Sequence, residues 1–159
     1  MSAVGHHLAQ LNIGRVKAPV EDPLMAGFVG QLDELNALAD GAPGFVWRLQ
    51  TEQGDATSIH AFADDRLLLN MSVWTSIEAL RDFAYAGRHL DVLRDRRQWF
   101  DVADGPYSVL WWVPEGHEPT VEEAKRKLAH LEGHGPTAEA FTFQQTFEAP
   151  STVEAAAAD

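Results

Sequence analysis

The sequence predicts an α+β domain with a ferredoxin-like antiparallel sheet and helices on one face. Two observations predict this fold. Segments in which apolar and polar residues alternate, as in strands, are separated by segments with apolar residues at helical spacing. Their order is strand, helix, strand, strand, helix, strand, helix, strand, which is typical of a ferredoxin-like α+β arrangement with antiparallel pairing.

The size and composition suit a single soluble domain. The chain has 159 residues, 45% of them hydrophobic, and no cysteine, which excludes disulfides, thiolate metal sites and cysteine nucleophiles. We expect one domain over residues 1–148 and a disordered acidic tail over 149–159. A net charge of −12 argues against nucleic acid and anionic membranes as partners. No signal peptide or membrane-spanning run is present in the sequence, so we expect a cytoplasmic protein.

The first half of the chain predicts a strand, a helix and a second strand. Residues 7–13 alternate between apolar and polar side chains, which predicts the first strand. Asp22 is a suitable N-cap and Pro23 a suitable first residue for the helix, which Gly41 should end. Alternation returns over residues 45–50 and predicts the second strand.

The middle of the chain predicts a loop, a strand and a long helix. Residues 51–66 are polar and are expected to form a loop. Residues 67–74 alternate and predict the third strand. Thr75 and Glu78 have the spacing of a capping box, so the next helix should begin there and continue in two pieces to about residue 99.

The last third of the chain predicts a strand, a helix and a final strand. Residues 107–113 are aromatic and β-rich. Thr120 and Glu123 repeat the capping-box spacing, and Gly133 marks the end of the helix that they begin. Phenylalanines alternate with polar residues over residues 141–147 and predict the last strand.

One face of the predicted sheet is polar but carries little charge. Its residues are Gln10, Asn12, Arg48, Gln50, Asn70, Ser72, Trp74, Ser108, Trp112, Thr142 and Gln144. Hydrogen-bonding and aromatic groups on the face without helices predict the lining of a small-molecule cavity, closed by the sheet of a second copy in a homodimer. The alternative is a face that is merely solvated.

Three tryptophans and an arginine are further candidates for this lining. The tryptophans are Trp74, Trp99 and Trp112, which either form aromatic walls for a planar ligand or belong to the core or a dimer interface. Arg48 either pairs with a carboxylate such as Asp33 or Glu34, or contacts an anionic group of the ligand. The predicted substrate-binding set is Arg48, Asn70, Ser72, Trp74, Trp99, Trp112, Gln144 and Asn12.

The helix after the third strand carries the candidate catalytic residues. Tyr85, His89 and Arg96 lie at spacings that place them on one helix face. His89 would act as a base near neutral pH, Tyr85 would hydrogen-bond to a phenol or enol, and Arg96 would stabilise an enolate. The alternative is that His89 caps or packs the helix.

The remaining histidines do not predict a metal site. His60 and His117 are isolated in the sequence, while His130 and His134 are four residues apart with Gly133 between them at a helix end. We therefore expect no shared ligand face for this pair. No glycine-rich phosphate loop or nucleophile elbow is present in the sequence.

Several stretches of the sequence carry a family resemblance: Gly44–Arg48, Asn70–Trp74, Phe83–Phe100, Trp111–Pro114 with Gly116 and His117, and Ala140–Phe143. Together they resemble a bacterial family known only as domain of unknown function 3291. That family looks like a branch of the dimeric α/β-barrel superfamily, in which two ferredoxin-like sheets pair into a barrel. The resemblance therefore implies a homodimeric α/β barrel.

The resemblance also implies a range of activities. The superfamily includes antibiotic-biosynthesis monooxygenases that need no cofactor, haem-degrading monooxygenases, isomerases and stress-response proteins. It favours an enzyme that acts on an aromatic or polyketide-like molecule by cofactor-independent oxygenation, isomerisation or cyclisation. The alternatives are a non-catalytic ligand-binding or stress protein, and a haem protein with His89 in a position broadly similar to that of the iron-binding histidine.

Overall fold

The computed structural model describes residues 5–18, 22–49, 67–84, 99 and 108–150. The elements are β1 (His6–Arg15), a 3-10 turn (Pro23–Met25), α1 (Ala26–Asp40), β2 (Phe45–Arg48), β3 (Leu67–Trp74), α2 (Ile77–Ala84), β4 (Ser108–Pro114) and α3 (Val121–His134). This is the predicted α+β class. The loop predicted over 51–66, most of the second piece of the long helix and residues 151–159 of the predicted tail lie outside the described residues.

The four strands form one antiparallel sheet in the order β2-β3-β1-β4. This is the strand order of a ferredoxin-like sheet, so the predicted fold class is confirmed. Residues paired across strands share a face. The pairings of Leu8 with Trp74 and with Trp112 define a mixed face, whereas those of Ala9 with Val73 and with Trp111 define an apolar face.

Helix α3 covers the apolar face. Its buried residues Ala124, Leu128 and Leu131 share a core cluster with strand residues of that face. The strand residues in this cluster are Ala9, Leu11, Leu69, Met71, Val73, Val109, Trp111 and Val113, none more than 6% exposed. The face buries apolar residues in all three of its longer strands, so it provides a continuous hydrophobic surface for one amphipathic helix.

Residues of α1 and α2 pack against the mixed face, which corrects the expectation that this face is free of helices. Ala39 of α1 and Leu80 of α2 share a cluster with Leu8, Trp74 and Leu110. Near the other end of this face, Phe28 of α1 contributes to a cluster with buried Met25 and Trp99. Alternation shows which residues share a face, but packing decides which face each helix covers.

Hydrogen bonds at the helix starts confirm two of the three predicted caps. The Asp22 side chain accepts from Leu24 N at 2.9 Å and caps the 3-10 turn that leads into α1, and the Thr120 hydroxyl accepts from Glu123 N at 3.1 Å at the start of α3. In α2, however, the side chain that accepts from Ala79 N at 3.1 Å is that of Ser76 rather than Thr75. The helix therefore starts one residue later than predicted.

The predicted last strand is wrong. Phe141 forms a single bridge with Leu110 of β4, with hydrogen bonds of 2.8 and 2.9 Å, and the chain then turns, with Gln145 N donating to Thr142 O. Phe143 and Phe147 instead join the aromatic cluster on the mixed face. The segment folds back and packs these side chains against the cluster without forming a strand, so the alternating pattern does not require one.

None of the helices within the described ranges is long and apolar enough to cross a membrane.

Candidate functional site

The mixed face is layered along the strands, with a polar band between two apolar ends. At one end Leu8 pairs with Trp74 and Trp112. At the other end Leu68 packs with the cluster that contains Trp99. The polar band between them contains Gln10, Asn12, Arg48, Asn70, Ser72 and Ser108. The predicted shared face is thus confirmed for these strand residues.

A hydrogen-bond network runs across the centre of this band. Gln10, only 4% exposed, donates from Nε2 to Asn70 Oδ1 at 2.8 Å and to Ser72 Oγ at 2.7 Å. Trp74 donates from Nε1 to the same Ser72 oxygen at 2.8 Å. The network spans β1 and β3, the two central strands, so the backbone sheet holds its members in register.

This network determines which groups remain for a ligand. An indole N–H only donates, so Ser72 Oγ must accept from Trp74. Its second lone pair accepts from Gln10, which leaves the Ser72 hydroxyl proton to point away from both partners. Asn70 is exposed and uses its carbonyl oxygen for Gln10, which leaves its Nδ2 hydrogens to donate outward.

Arg48 lies beside the network and pairs with a carboxylate. Its register partner is Ser72, and its guanidinium binds Asp40 at the end of α1 through Nε–Oδ1 (2.8 Å) and Nη2–Oδ2 (3.3 Å) contacts. The prediction that Arg48 pairs with a carboxylate is therefore confirmed, although Asp40 was not one of the two carboxylates suggested. The side chain of Arg48 is 12% exposed, and this two-contact pair ties α1 to the edge strand β2.

The three candidate tryptophans are packed into the structure to different extents. Trp74 is 1% exposed, stacks on Phe83 at 5.2 Å and meets Phe45 edge to face at 5.5 Å. Trp99 is 6% exposed and lies 5.9 Å from Phe28. Both therefore bound the polar band as core residues.

Trp112 is only half-buried and belongs to the same end of the band as Trp74. Its Nε1 donates to Phe147 O at 2.9 Å, and its ring lies 6.5 Å from that of Phe141. Its indole N–H already has a partner, so Trp112 offers a ligand an aromatic surface rather than a donor.

Two members of the predicted polar face are not on the sheet. Gln144 is exposed in the turn after Phe141, and Thr142 begins that turn. The structure thus corrects the placement of Gln144 and removes the basis for its role in substrate binding. Gln50 lies outside the described residues.

Tyr85, His89 and Arg96, the predicted catalytic residues, also lie outside the described residues. Their roles stay predictions. Gln10 belongs to the predicted face but was not in the predicted substrate-binding set. Its position between Ala9 and Leu11, near the middle of the predicted first strand, is the signal that identifies it.

Histidines and carboxylates within the described ranges form no group of three that could hold a metal ion. His130 and His134 do share a helix face, with ring centroids 4.5 Å apart, contrary to the expectation from Gly133. The expectation of no cofactor, with haem as the alternative, involves His89, which lies outside the described residues, so it stays a prediction.

A second polar cluster joins the start of α3 to β4. Glu123 accepts from Trp111 Nε1 at 2.8 Å through Oε2, and its Oε1 lies 2.6 Å from His117 Nε2. Burial alone would raise the pKa of Glu123, but the hydrogen bonds from His117 and Trp111 outweigh it and lower the pKa below the ordinary value. This cluster holds an ionised carboxylate against the sheet on the face opposite the polar band.

Comparison with known proteins gives one family and several distant structural likenesses. A family model described as "Domain of unknown function (DUF3291)" matches residues 7–157. Curated proteins give no significant match.

Three solved structures illustrate the likenesses. Rv0793 from Mycobacterium tuberculosis is 12% identical, with 72% of this chain and 99% of that chain covered and a TM-score of 0.48. A putative antibiotic biosynthesis monooxygenase from Nitrosomonas europaea is 10% identical, with 76% and 100% covered and a TM-score of 0.48. SnoaB, a cofactor-independent oxygenase from Streptomyces nogalater, is 19% identical, with 70% and 95% covered and a TM-score of 0.43.

Likenesses at these scores do not establish a common activity. The family match does not depend on them, because it covers nearly the whole chain and every described strand and helix except the first residue of β1. It also agrees with the resemblance found in the sequence. The chain therefore belongs to the family described as domain of unknown function DUF3291.

Proposed function

We propose that this protein is an enzyme that acts on a small aromatic or polyketide-like molecule bound at the polar band of the mixed face. The observation that supports the proposal most is the network of Gln10, Asn70, Ser72 and Trp74. Burying an amide in the centre of a sheet is costly unless its hydrogen bonds are made. Aromatic residues at both ends of the band suit a planar molecule, and the polar groups between them suit its oxygen atoms.

The proposed reactions are cofactor-independent oxygenation, isomerisation or cyclisation. All three begin with loss of a proton from an acidic C–H or O–H group, which gives a phenolate or enolate. In an oxygenation the anion would reduce dioxygen, so that a ring CH₂ and O₂ give C=O and water. We assign His89 as the base, Tyr85 as a hydrogen-bond donor to the substrate oxygen and Arg96 as the charge that stabilises the anion.

The proposal includes a homodimer. Strand β2 is an edge of the described sheet, and its Val46 is 39% exposed. The other large apolar residues that are exposed in the described ranges are Leu24 and Leu38, in the 3-10 turn and α1. A strand edge and exposed apolar side chains are features of association surfaces. Light scattering on the purified protein should give twice the mass of one chain, and a monomer at all concentrations would contradict this part of the proposal.

The first test is to identify what the protein binds. The protein is purified from its native host, its visible spectrum is recorded, and the small molecules released on denaturation are identified by mass spectrometry. A colourless protein that releases an aromatic metabolite supports the proposal and names the substrate class for activity assays. A Soret band would replace it with a haem protein.

The second test addresses catalysis. His89→Ala should lower turnover of the identified substrate by about a hundredfold or more, because general-base catalysis contributes that much. His134→Ala, at an exposed position in α3, serves as the matched control. A fully active His89→Ala enzyme would exclude His89 as the base, and a protein that binds the metabolite without turnover would be a ligand-binding protein.

A further inference from the structure

We propose that Gln10 is a positioning residue that fixes Asn70 and Ser72 as hydrogen-bond donors, so that the site binds its ligand through an acceptor oxygen. This inference rests on the proposed function, because it concerns the same site. It adds the chemical class of the ligand group: a phenolate, enolate or carboxylate oxygen rather than an N–H or cationic group.

The orientation of the Gln10 amide determines the direction of its two hydrogen bonds in the network. Both hydrogens of its Nε2 are used, one on Asn70 Oδ1 and one on Ser72 Oγ. If the Gln10 amide were reversed, its oxygen would accept from both neighbours. Asn70 would then turn its carbonyl oxygen outward, and the Ser72 proton would no longer be available to a ligand.

Trp74 fixes one side of the Ser72 hydroxyl. It donates to Ser72 Oγ from a buried ring that is held by Phe83 and Phe45. One Ser72 lone pair is therefore always occupied from that side. With Gln10 donating from the other side, Ser72 has only its proton left, and Asn70 has only Nδ2.

The charges around the band agree with an acceptor ligand. The protein carries a net charge of −12, yet the described strand residues of the mixed face include no carboxylate. The nearest cation in the register is Arg48, whose charge is balanced by Asp40. Neutral donors are thus the groups that the band offers to an oxygen carrying negative charge.

The test uses two planar probes of the same shape, benzoate and benzamidine, with the full-length protein. Benzoate only accepts hydrogen bonds and benzamidine only donates them. Wild type should bind benzoate about tenfold or more tightly than benzamidine, by isothermal titration calorimetry at constant salt.

Two variants of nearly the same shape change the polarity of the network. Gln10→Met removes both donors without adding charge and should weaken benzoate binding about tenfold, because Asn70 loses its fixed orientation. Gln10→Glu replaces the donors by acceptors and should reverse the preference in favour of benzamidine. The same two substitutions at Gln145, which is exposed in the turn beyond the network, control for the change of residue type.

The outcomes separate the two proposals. If wild type prefers benzoate but Gln10→Met binds it equally well, Gln10 does not position the donors, although the proposed binding site stands. If wild type prefers benzamidine, the acceptor class is wrong although the binding site stands; if it binds neither probe, the polar band does not bind small planar molecules and both proposals fail. Thermal melting checks that each variant is folded. If the Gln10 variants do not fold, Asn70→Asp, at an exposed position, is the deciding test. It replaces the outward Nδ2 donor by an acceptor, so an unchanged preference for benzoate would overturn the proposal.

Discussion

Gly44 joins α1 to the edge strand in a conformation that glycine adopts at low cost. Its φ is +82°, and its carbonyl oxygen accepts from Thr75 N at 2.8 Å. A Cβ at this position would lie 2.5 Å from Ala79 Cβ and 2.7 Å from Thr75 Oγ1. The residue therefore sets both the backbone turn and the close approach of α2 to the start of β2.

Gly44→Ala should lower the free energy of unfolding by about 2–5 kcal/mol, the sum of the left-handed strain and the overpacking. Gly116→Ala is a matched control, because Gly116 has a φ of +86° but a Cβ added there would have no atom of the described residues within 4 Å. The control should cost only about 1–2 kcal/mol in urea unfolding. An equal loss of unfolding free energy at the two positions would show that the contact with Ala79 contributes little to the effect of Gly44→Ala.

At the scale of elements, α3 depends on a polar anchor as well as on its apolar stripe. Glu123, in its first turn, binds Trp111 of β4 and His117 of the preceding loop. The sequence pattern predicted a capping box, and the Thr120 half of it is present. The Glu123 carboxylate contacts the sheet and loop, so it fixes the orientation of the helix on the apolar face.

This anchor should make stability depend on acid pH. The pKa of Glu123 in the folded protein is lower than the ordinary value of 4.5. Its ionised form therefore stabilises the fold above that value, and the contribution is lost as pH falls through the folded pKa. Glu123→Gln should lower the free energy of unfolding by about 1–3 kcal/mol at pH 7. It should also make that free energy fall less steeply as the pH is lowered.

Glu122→Gln is the control for this pH dependence, because Glu122 is an exposed neighbour in the same helical turn. It removes the same charge near the helix N-terminus without a contact to Trp111. Unfolding of both variants is followed by circular dichroism in urea from neutral to acid pH. If both variants show the same pH dependence, the effect comes from the helix dipole rather than from the anchor.

Local patterns predicted the elements better than their packing. The bounds of β3 follow from its period-two pattern, and the residues of the polar band follow from the same rule. The last strand failed because Phe141, Phe143 and Phe147 find apolar burial by folding back on β4. The network at Gln10 and the pair of Arg48 with Asp40 depend on strand register and on where α1 ends, which a single sequence does not specify.

At the scale of the whole molecule, the sheet separates two hydrophobic layers, and the polar band belongs to only one of them. Leu128 of α3 lies in the layer on the apolar face, and Leu80 of α2 lies in the layer on the mixed face with Trp74. Both leucines are 5% exposed. They are therefore a matched pair for asking whether the two layers are independent.

Leu80→Ala and Leu128→Ala should each lower the free energy of unfolding by about 2–5 kcal/mol, because each leaves a cavity in a packed core. The two losses should add to within about 0.5 kcal/mol in the double variant, since the leucines share no cluster. Ligand binding should distinguish them. Only Leu80→Ala loosens the layer that holds Trp74 against Ser72, so it alone should weaken benzoate binding in calorimetry. An equal loss of binding in Leu128→Ala would mean that the sheet transmits the disturbance between its faces, and the two layers would then act as one core.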